Sequence, residues 1–392
     1  MVPIAKPKSI KRTNRRALLD MIRTSGEVSV ADISERLKLS KPTAMKIISH
    51  YLESDLILCV GKGTSTEEGG KKPTLYKFNA RGGYAVVSDL DAAILNEKSI
   101  PFEENEALAK VVTAMAAAYR WLLGRDADYA GKVIGIAVGA HGITDFRRGV
   151  VIHSPHFPSW GENAPLARLL KKELSFEGPV LVDNQIRFQV FAEKVKGVAK
   201  GRKNIIVLEG GVGLVAGVIV KDEIKRGAHF LAGEIGHMII NPQEPEVCAC
   251  GGRGCFETMV SVKRILRSAR DKIERHRVRS ALKSVEPAAL TIRTIFEASN
   301  AGDALAQAVV DEAAHWFAIG LSNLVLAYDP EIIVLQGIFA EAGDYFIRQL
   351  RRKINEVSLV HIKKNVQIEY SKFGRNAGVL GAAAFVIAEY LK

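Results

Sequence analysis

Residues 231–261 read LAGEIGHMIINPQEPEVCACGGRGCFETMVS and place three of the chain's four cysteines inside eight positions. His237, Cys248, Cys250 and Cys255 offer one imidazole nitrogen and three sulfurs within 19 residues, a sufficient donor set for tetrahedral Zn2+. Glycines at 251, 252 and 254 let the backbone fold tightly enough for Cys250 and Cys255 to reach one ion. A disulfide across Cys-x-Cys would be strained, and a redox pair ordinarily has Cys-x-x-Cys spacing. Four protein ligands leave no open position for water, so the expected role of the ion is structural.

The rest of the composition is that of a soluble globular protein. At 392 residues the chain exceeds one ordinary core, and two or three domains are expected. No apolar run reaches the roughly 18 residues a membrane span needs, and the start MVPIAKPKSIKR lacks the apolar stretch of a secretory signal. Four cysteines suit a reducing compartment, so a cytoplasmic location with no membrane partner is expected.

The net charge of +12 is uneven: residues 1–80 hold fifteen Lys and Arg against eight Asp and Glu. A basic small segment on a nearly balanced body suggests an anionic polymer as its partner. The pattern there is three short amphipathic helices, NRRALLDMIRTSG (14–26), SVADISERLKLS (29–40) and SKPTAMKIISHYLESDLI (40–57). Ser29 and Ser40 are placed as N-caps, Pro42 lies in a first turn, and Ala44, Ile47, Ile48 and Leu52 form one stripe. The tight turn between the second and third helices reads as a helix-turn-helix. LILCVGKG (56–63) and PTLYKFNA (73–80) then read as two strands of a wing, with Cys59 expected as a packed strand residue. Lys41, Thr43 and Lys46 on the third helix are candidates for the major groove of double-stranded DNA, and Lys71 and Lys72 of the wing for a minor groove or phosphates.

From about residue 84 apolar strands alternate with helices. YAVVSDLDAAIL (84–95), KVIGIAVGAHGITD (132–145) and GPVLVDNQ (178–185) read as strands, NIIVLEGGVGLVAGVIV (204–220) as two more, and PEIIVLQGI (330–338) as a late one. Residues 105–125 and 303–328 are long amphipathic stretches. The expected architecture is α/β: a winged helix-turn-helix over 1–82, a first lobe over 83–200, and a second lobe over 201–392 whose last helix returns to the first.

The run AGEIGH…CACGGRGCFET resembles the signature of the ROK family of sugar kinases and sugar-responsive repressors, and the similarity extends to GRNAGVLGAAAFVIAEYL (374–391). The resemblance implies a two-lobed, actin-like ATPase fold, and a winged helix in front of it resembles the repressor branch. By the same resemblance Asn184, Glu234, His237 and Glu257 would hydrogen-bond sugar hydroxyls between the lobes, with His237 shared between sugar and zinc. The family's phosphate loop, Asp-x-Gly-Gly-Thr, corresponds to Asp89-Leu90-Asp91-Ala92-Ala93, where both glycines are gone and Asp91 adds a negative charge. The catalytic Asp of the family's Asn-Asp pair corresponds to Gln185, whose amide cannot accept a proton at neutral pH, although it remains able to hydrogen-bond a ligand. His141 and His156 replace a usual Pro and Asn.

The expected function is therefore a DNA-binding transcriptional regulator, a repressor of carbohydrate-metabolism genes. A sugar or sugar phosphate would bind between the lobes of a homodimer or homotetramer, and kinase activity would be lost. The alternative is an active ATP-dependent sugar kinase with an accessory DNA-binding domain.

Overall fold

Ser29 ends the two-residue strand β1 (Val28–Ser29) and caps helix α1 (Val30–Leu37). Its hydroxyl accepts the Asp32 amide at 3.2 Å while the Asp32 carboxylate accepts the Ser29 amide at 2.8 Å. These hydrogen bonds, that from the Ser29 backbone first, hold the Asp32 carboxyl below its usual range. Helix α2 (Lys41–Glu53) follows Ser40, whose Oγ accepts the Thr43 amide at 3.3 Å. Ala44, Ile47 and Ile48 of α2 close a small core with Leu18, Ile22, Ile33 and Tyr51. Strands β2 (Ile57–Lys62) and β3 (Thr74–Phe78) complete a sheet of order β1-β3-β2, giving a winged helix-turn-helix. Cys59 is exposed, contrary to its reading as a packed residue. Among the described residues β2 pairs only with β3, and Ile57 is its one buried residue, so the strand has a solvated face.

The computed structural model describes residues 14–15, 17–18, 21–22, 27–53, 57–62, 73–78, 83–88, 92, 94–100, 102–129, 131–211, 213–275, 278–286, 289–357, 359–361 and 364–390. Lys71 and Lys72 lie outside them, as do Asp89, Leu90, Asp91 and Ala93.

In the next region two expected strands are each divided. The stretch 84–95 contributes to an antiparallel hairpin of β4 (Gly83–Ser88) and β5 (Ile94–Ile100), which precedes helix α3 (Leu108–Leu123). The stretch 132–145 holds β6 (Ile136–Ala140) and β7 (Ile143–Asp145), separated at His141-Gly142, where the Gly142 carbonyl accepts a hydrogen bond from Asn184. Strand β7 pairs with β8 (Val150–His153). After helix α4 (Leu166–Leu174), β9 (Val180–Asn184) runs parallel to β6, and helix α5 (Gln185–Lys196) follows without a loop.

The second sheet has five strands in the order β12-β11-β10-β13-β14. Its members are β10 (Ile205–Gly210), β11 (Leu214–Val220), β12 (Glu223–Ile224), β13 (Ile332–Gly337) and β14 (Gln367–Tyr370). Strands β10, β13 and β14 are parallel, and β10 and β13 are apolar throughout most of their length because both faces are covered. Ile205, Val207, Ile332 and Val334 pack against Ile186 and Val190 of α5. The alternate residues Ile206, Leu208, Ile333 and Leu335 face the larger core. That core is built from helices α6 (Phe256–Val260), α7 (Val262–Arg275), α8 (Ile292–Asn300), α9 (Ala304–Tyr328) and α10 (Gly343–Lys353). Asp303 caps the long α9 by accepting the Ala306 amide at 2.9 Å.

Helix α11 (Ala377–Tyr390) comes after this sheet yet packs on α5 and β6. Phe385 lies 5.7 Å from Phe188 and 5.1 Å from Phe191, ring centroid to ring centroid. Gly381 sets the approach, since a Cβ there would fall 1.7 Å from the Phe188 carbonyl oxygen. Gly378, one turn earlier, would place its Cβ 3.9 Å from Gln189, an ordinary contact. Gly381→Ala should lower unfolding free energy by about 1–3 kcal/mol through overpacking, whereas Gly378→Ala should be neutral or stabilising by up to about 1 kcal/mol through helix propensity. Urea titration of both variants checks this, and equal effects would remove the close approach as the cause.

Candidate functional site

Because β9 passes directly into α5, Asn184 is at once the end of a strand and a helix N-cap. Its Oδ1 accepts the Ile186 amide at 3.0 Å, and its Nδ2 donates to the Gly142 carbonyl at 2.8 Å. Gln185 then begins α5 at the wall of a cleft of about 2450 Å³. Asn184, Gln185, Glu234, His237 and Glu257, drawn from segments far apart in the chain, all line this cleft. Glu257 also accepts the Leu214 amide at 2.9 Å, which fixes the start of β11. Glu234 is half-buried, and burial pushes its carboxyl up despite the opposing effect of His237. His141 and His156 line the same cleft with ring centroids 5.2 Å apart, and burial, followed by the neighbouring His156, pushes the His141 imidazole down.

Some cleft residues were not singled out from the sequence. Glu209, next to last in β10, accepts Gln185 Nε2 at 3.2 Å and Gln189 Nε2 at 3.0 Å through the same oxygen. Burial raises its carboxyl, partly offset by these amides. The i, i+4 placement of Gln185 and Gln189 on one helix face was the available signal, but their acceptor lies on another strand.

Behind Asn184 lies a buried ion group. Asp183 is fully buried and meets Arg187 Nη1 at 2.6 Å and Arg226 Nε at 2.8 Å. Thr144 Oγ1 donates to the same carboxylate at 3.1 Å. Arg187 Nη2 donates to the Phe230 carbonyl at 2.7 Å, and the Arg226 guanidinium sits 4.2 Å from the Phe146 ring centroid.

The metal-ligand candidates converge. One donor atom from each of His237, Cys248, Cys250 and Cys255 lies within 4.8 Å of the others. His237 Nδ1 is 3.7 Å from Cys248 Sγ, and Cys250 Sγ is 3.7 Å from Cys255 Sγ. Tetrahedral zinc with Zn–S bonds near 2.3 Å separates two sulfurs by about 3.8 Å, so the donors fit the ion. The loop is held by a tight turn, with Cys248 N to Gly252 O at 2.8 Å and Gly251 N to Cys248 O at 2.9 Å. Gly254 has φ +71°, and a Cβ there would meet the Asn241 carbonyl at 1.9 Å. Burial pushes the Cys255 thiol up to about 12, while the Gly252 backbone hydrogen bond lowers Cys250. In the winged helix, Lys41, Thr43 and Lys46 are exposed on α2, and Thr43 Oγ1 lies 2.8 Å from Ser40 Oγ.

Comparison with known proteins agrees with this architecture. The chain is 28% identical over 395 residues to a xylose repressor of Caldicellulosiruptor bescii, covering 97% of each. It is 30% identical over 294 residues to a glucokinase of Halalkalibacterium halodurans, covering 75% of this chain and 88% of that one. Among solved structures, a ROK family transcriptional regulator homologous to the E. coli MLC protein superposes with a TM-score of 0.70 at 25% identity, covering 97% of this chain and 96% of that one. A ROK family glucokinase from Streptomyces griseus, solved with glucose and AMPPNP, shares the fold with a TM-score of 0.62 at 23% identity over 77% of this chain and 95% of that one. The ROK family model matches residues 84–389, and the chain belongs to the ROK family.

Proposed function

We propose that this chain is a sugar-responsive DNA-binding regulator that represses carbohydrate-metabolism genes. The observation that carries the reading is coverage: the xylose repressor matches 97% of the chain, winged helix included, while the glucokinase matches 75%. Under this reading residues 1–82 bind the operator, and residues 83–200 and 201–392 form the two lobes. Lys41, Thr43 and Lys46 reach the major groove, with Lys71 and Lys72 on flanking phosphates or a minor groove. Two copies read a pseudo-palindromic site, so a homodimer or homotetramer in the cytoplasm is the working form. Among the described residues, no helix is long and apolar enough to cross a membrane.

The sugar lies against Asn184, Gln185, Glu234, His237 and Glu257. Its binding favours one lobe arrangement, which alters operator affinity by the difference in sugar affinity between the two states. Zinc on His237, Cys248, Cys250 and Cys255 supplies rigidity to the wall that carries Glu257. Phosphoryl transfer is lost because Gln185 offers an amide where a proton-accepting carboxylate is needed, and that amide donates to Glu209. An active kinase remains the competing reading, and it requires phosphate transfer from ATP to a sugar in a coupled assay. No turnover is expected.

Operator binding should weaken steeply with salt. Lys46→Ala should lower affinity on all sequences and reduce the magnitude of the log–log salt slope by about 1. Fluorescence anisotropy measures both, and a salt-independent affinity would refute the DNA interface. The purified protein should carry one zinc per chain by plasma mass spectrometry. Cys250→Ser should lose that metal and lower Tm, and an unchanged zinc content would discard the ligand assignment.

A further inference from the structure

We propose that Glu209, together with Gln185 and Gln189, forms a hydrogen-bond-accepting subsite that takes the hydroxyls of a neutral, unphosphorylated sugar and turns away phosphate. This rests on the sugar-responsive reading and decides which sugars the cleft admits. Glu209 Oε2 is satisfied by two amides, from Gln185 at 3.2 Å and Gln189 at 3.0 Å. Glu209 Oε1 has no partner among the described residues, and Glu209 lines the cleft. Gln189 is only 7% exposed and also lines the cleft, yet its Oε1 has no hydrogen-bond partner. Gln189 Oε1 is itself closed to solvent, so Glu209 Oε1, held in place by the two amides, is the acceptor this wall offers to the O–H groups of a ligand.

The same geometry disfavours an anion beside Glu209. No Lys or Arg among the described residues donates to Glu209, Gln185 or Gln189. Arg187, on the same helix, donates instead to Asp183, Thr144 and the Phe230 carbonyl. A phosphate ester is an acceptor carrying one to two negative charges at neutral pH, and here it would meet the Glu209 carboxylate, whose two amide donors are already engaged with it. Beyond β10 the Gly211 amide is already engaged by the Gly213 carbonyl at 2.9 Å, so it does not add a free donor for an anion next to Glu209. Because Gln185 adjoins Asn184, the subsite continues the polar wall already described and needs no separate ligand.

Isothermal titration of the full-length, zinc-loaded protein tests this with pentoses, hexoses, N-acetylhexosamines and the phosphate ester of each. One neutral sugar should bind, and its phosphate ester should bind at least about tenfold more weakly. Glu209→Gln, which keeps the shape but gives up the charge, should weaken the neutral sugar about tenfold or more, the loss expected for a hydrogen bond to a charged acceptor. Gln189→Ala should weaken it several-fold and serves as the second variant if the first is misfolded by circular dichroism. A phosphate ester that binds wild type as tightly as its free sugar overturns the inference. So does an unchanged neutral-sugar affinity in both variants. A wild-type protein that binds its operator but no member of either panel instead overturns the sugar-responsive reading itself, and this subsite with it.

Discussion

Asp183 is completely buried, and its carboxylate is met by two guanidinium groups, the Thr144 hydroxyl and the Asn184 backbone amide. An isolated carboxylate there would cost several kcal/mol in lost hydration, and two unpaired arginines would cost more. Each charge is tolerable only because the others are present. The group draws on four places in the chain: Thr144 in β7, Asp183 in β9, Arg187 in α5, and Arg226 just after β12. Its arginines extend the tie to the Phe230 carbonyl and the Phe146 ring. The next residue after Asp183 is Asn184, and Glu234 follows closely after Phe230. Two walls of the cleft are thereby referred to one buried carboxylate, which fixes their relative position.

The four candidate metal ligands stand on the opposite wall of the cleft. The knuckle from Cys248 to Cys255 has little apolar material of its own, and its sulfurs repel one another when ionised. A bound ion would convert four mutually unfavourable donors into a fixed point. His237 belongs both to that point and to the cleft surface, and Glu257 stands two residues beyond Cys255. With the proposed ion bound, shape at this end of the pocket would be set by coordination chemistry, and at the other end it is set by hydrogen bonds among Gln185, Gln189 and Glu209.

Features decided by near neighbours were legible in the sequence. The capping box at Ser29 and Asp32 spans three residues, and the four metal donors span 19. The apolar strands β10 and β13 declared themselves by composition, since both faces are covered. The candidate sugar contacts came together in one cleft because a family resemblance, not spacing, had pointed to them. Interactions across long separations were not legible. Nothing near Glu209 announces Gln185, and nothing near Arg226 announces Asp183, because a shared contact between distant segments leaves no local periodicity. The same cause explains the divided strands: the break at His141-Gly142 is stabilised by Asn184, some forty residues away along the chain and invisible in a local reading. Cys59 misled in the other direction, since an apolar run on an edge strand looks identical to one in a sheet's interior.

The packing of α11 on α5 through Gly381 and Phe188 also orders events during biosynthesis. The winged helix closes its core from residues within the first eighty, so it can fold soon after it leaves the ribosome. Helix α5, which carries Gln185 and follows Asn184, must wait for α11, and all of the second sheet is synthesised between them. Contacts of such high sequence separation form slowly and late. A nascent chain thus presents a finished DNA-binding unit well before it possesses the cleft that would govern it.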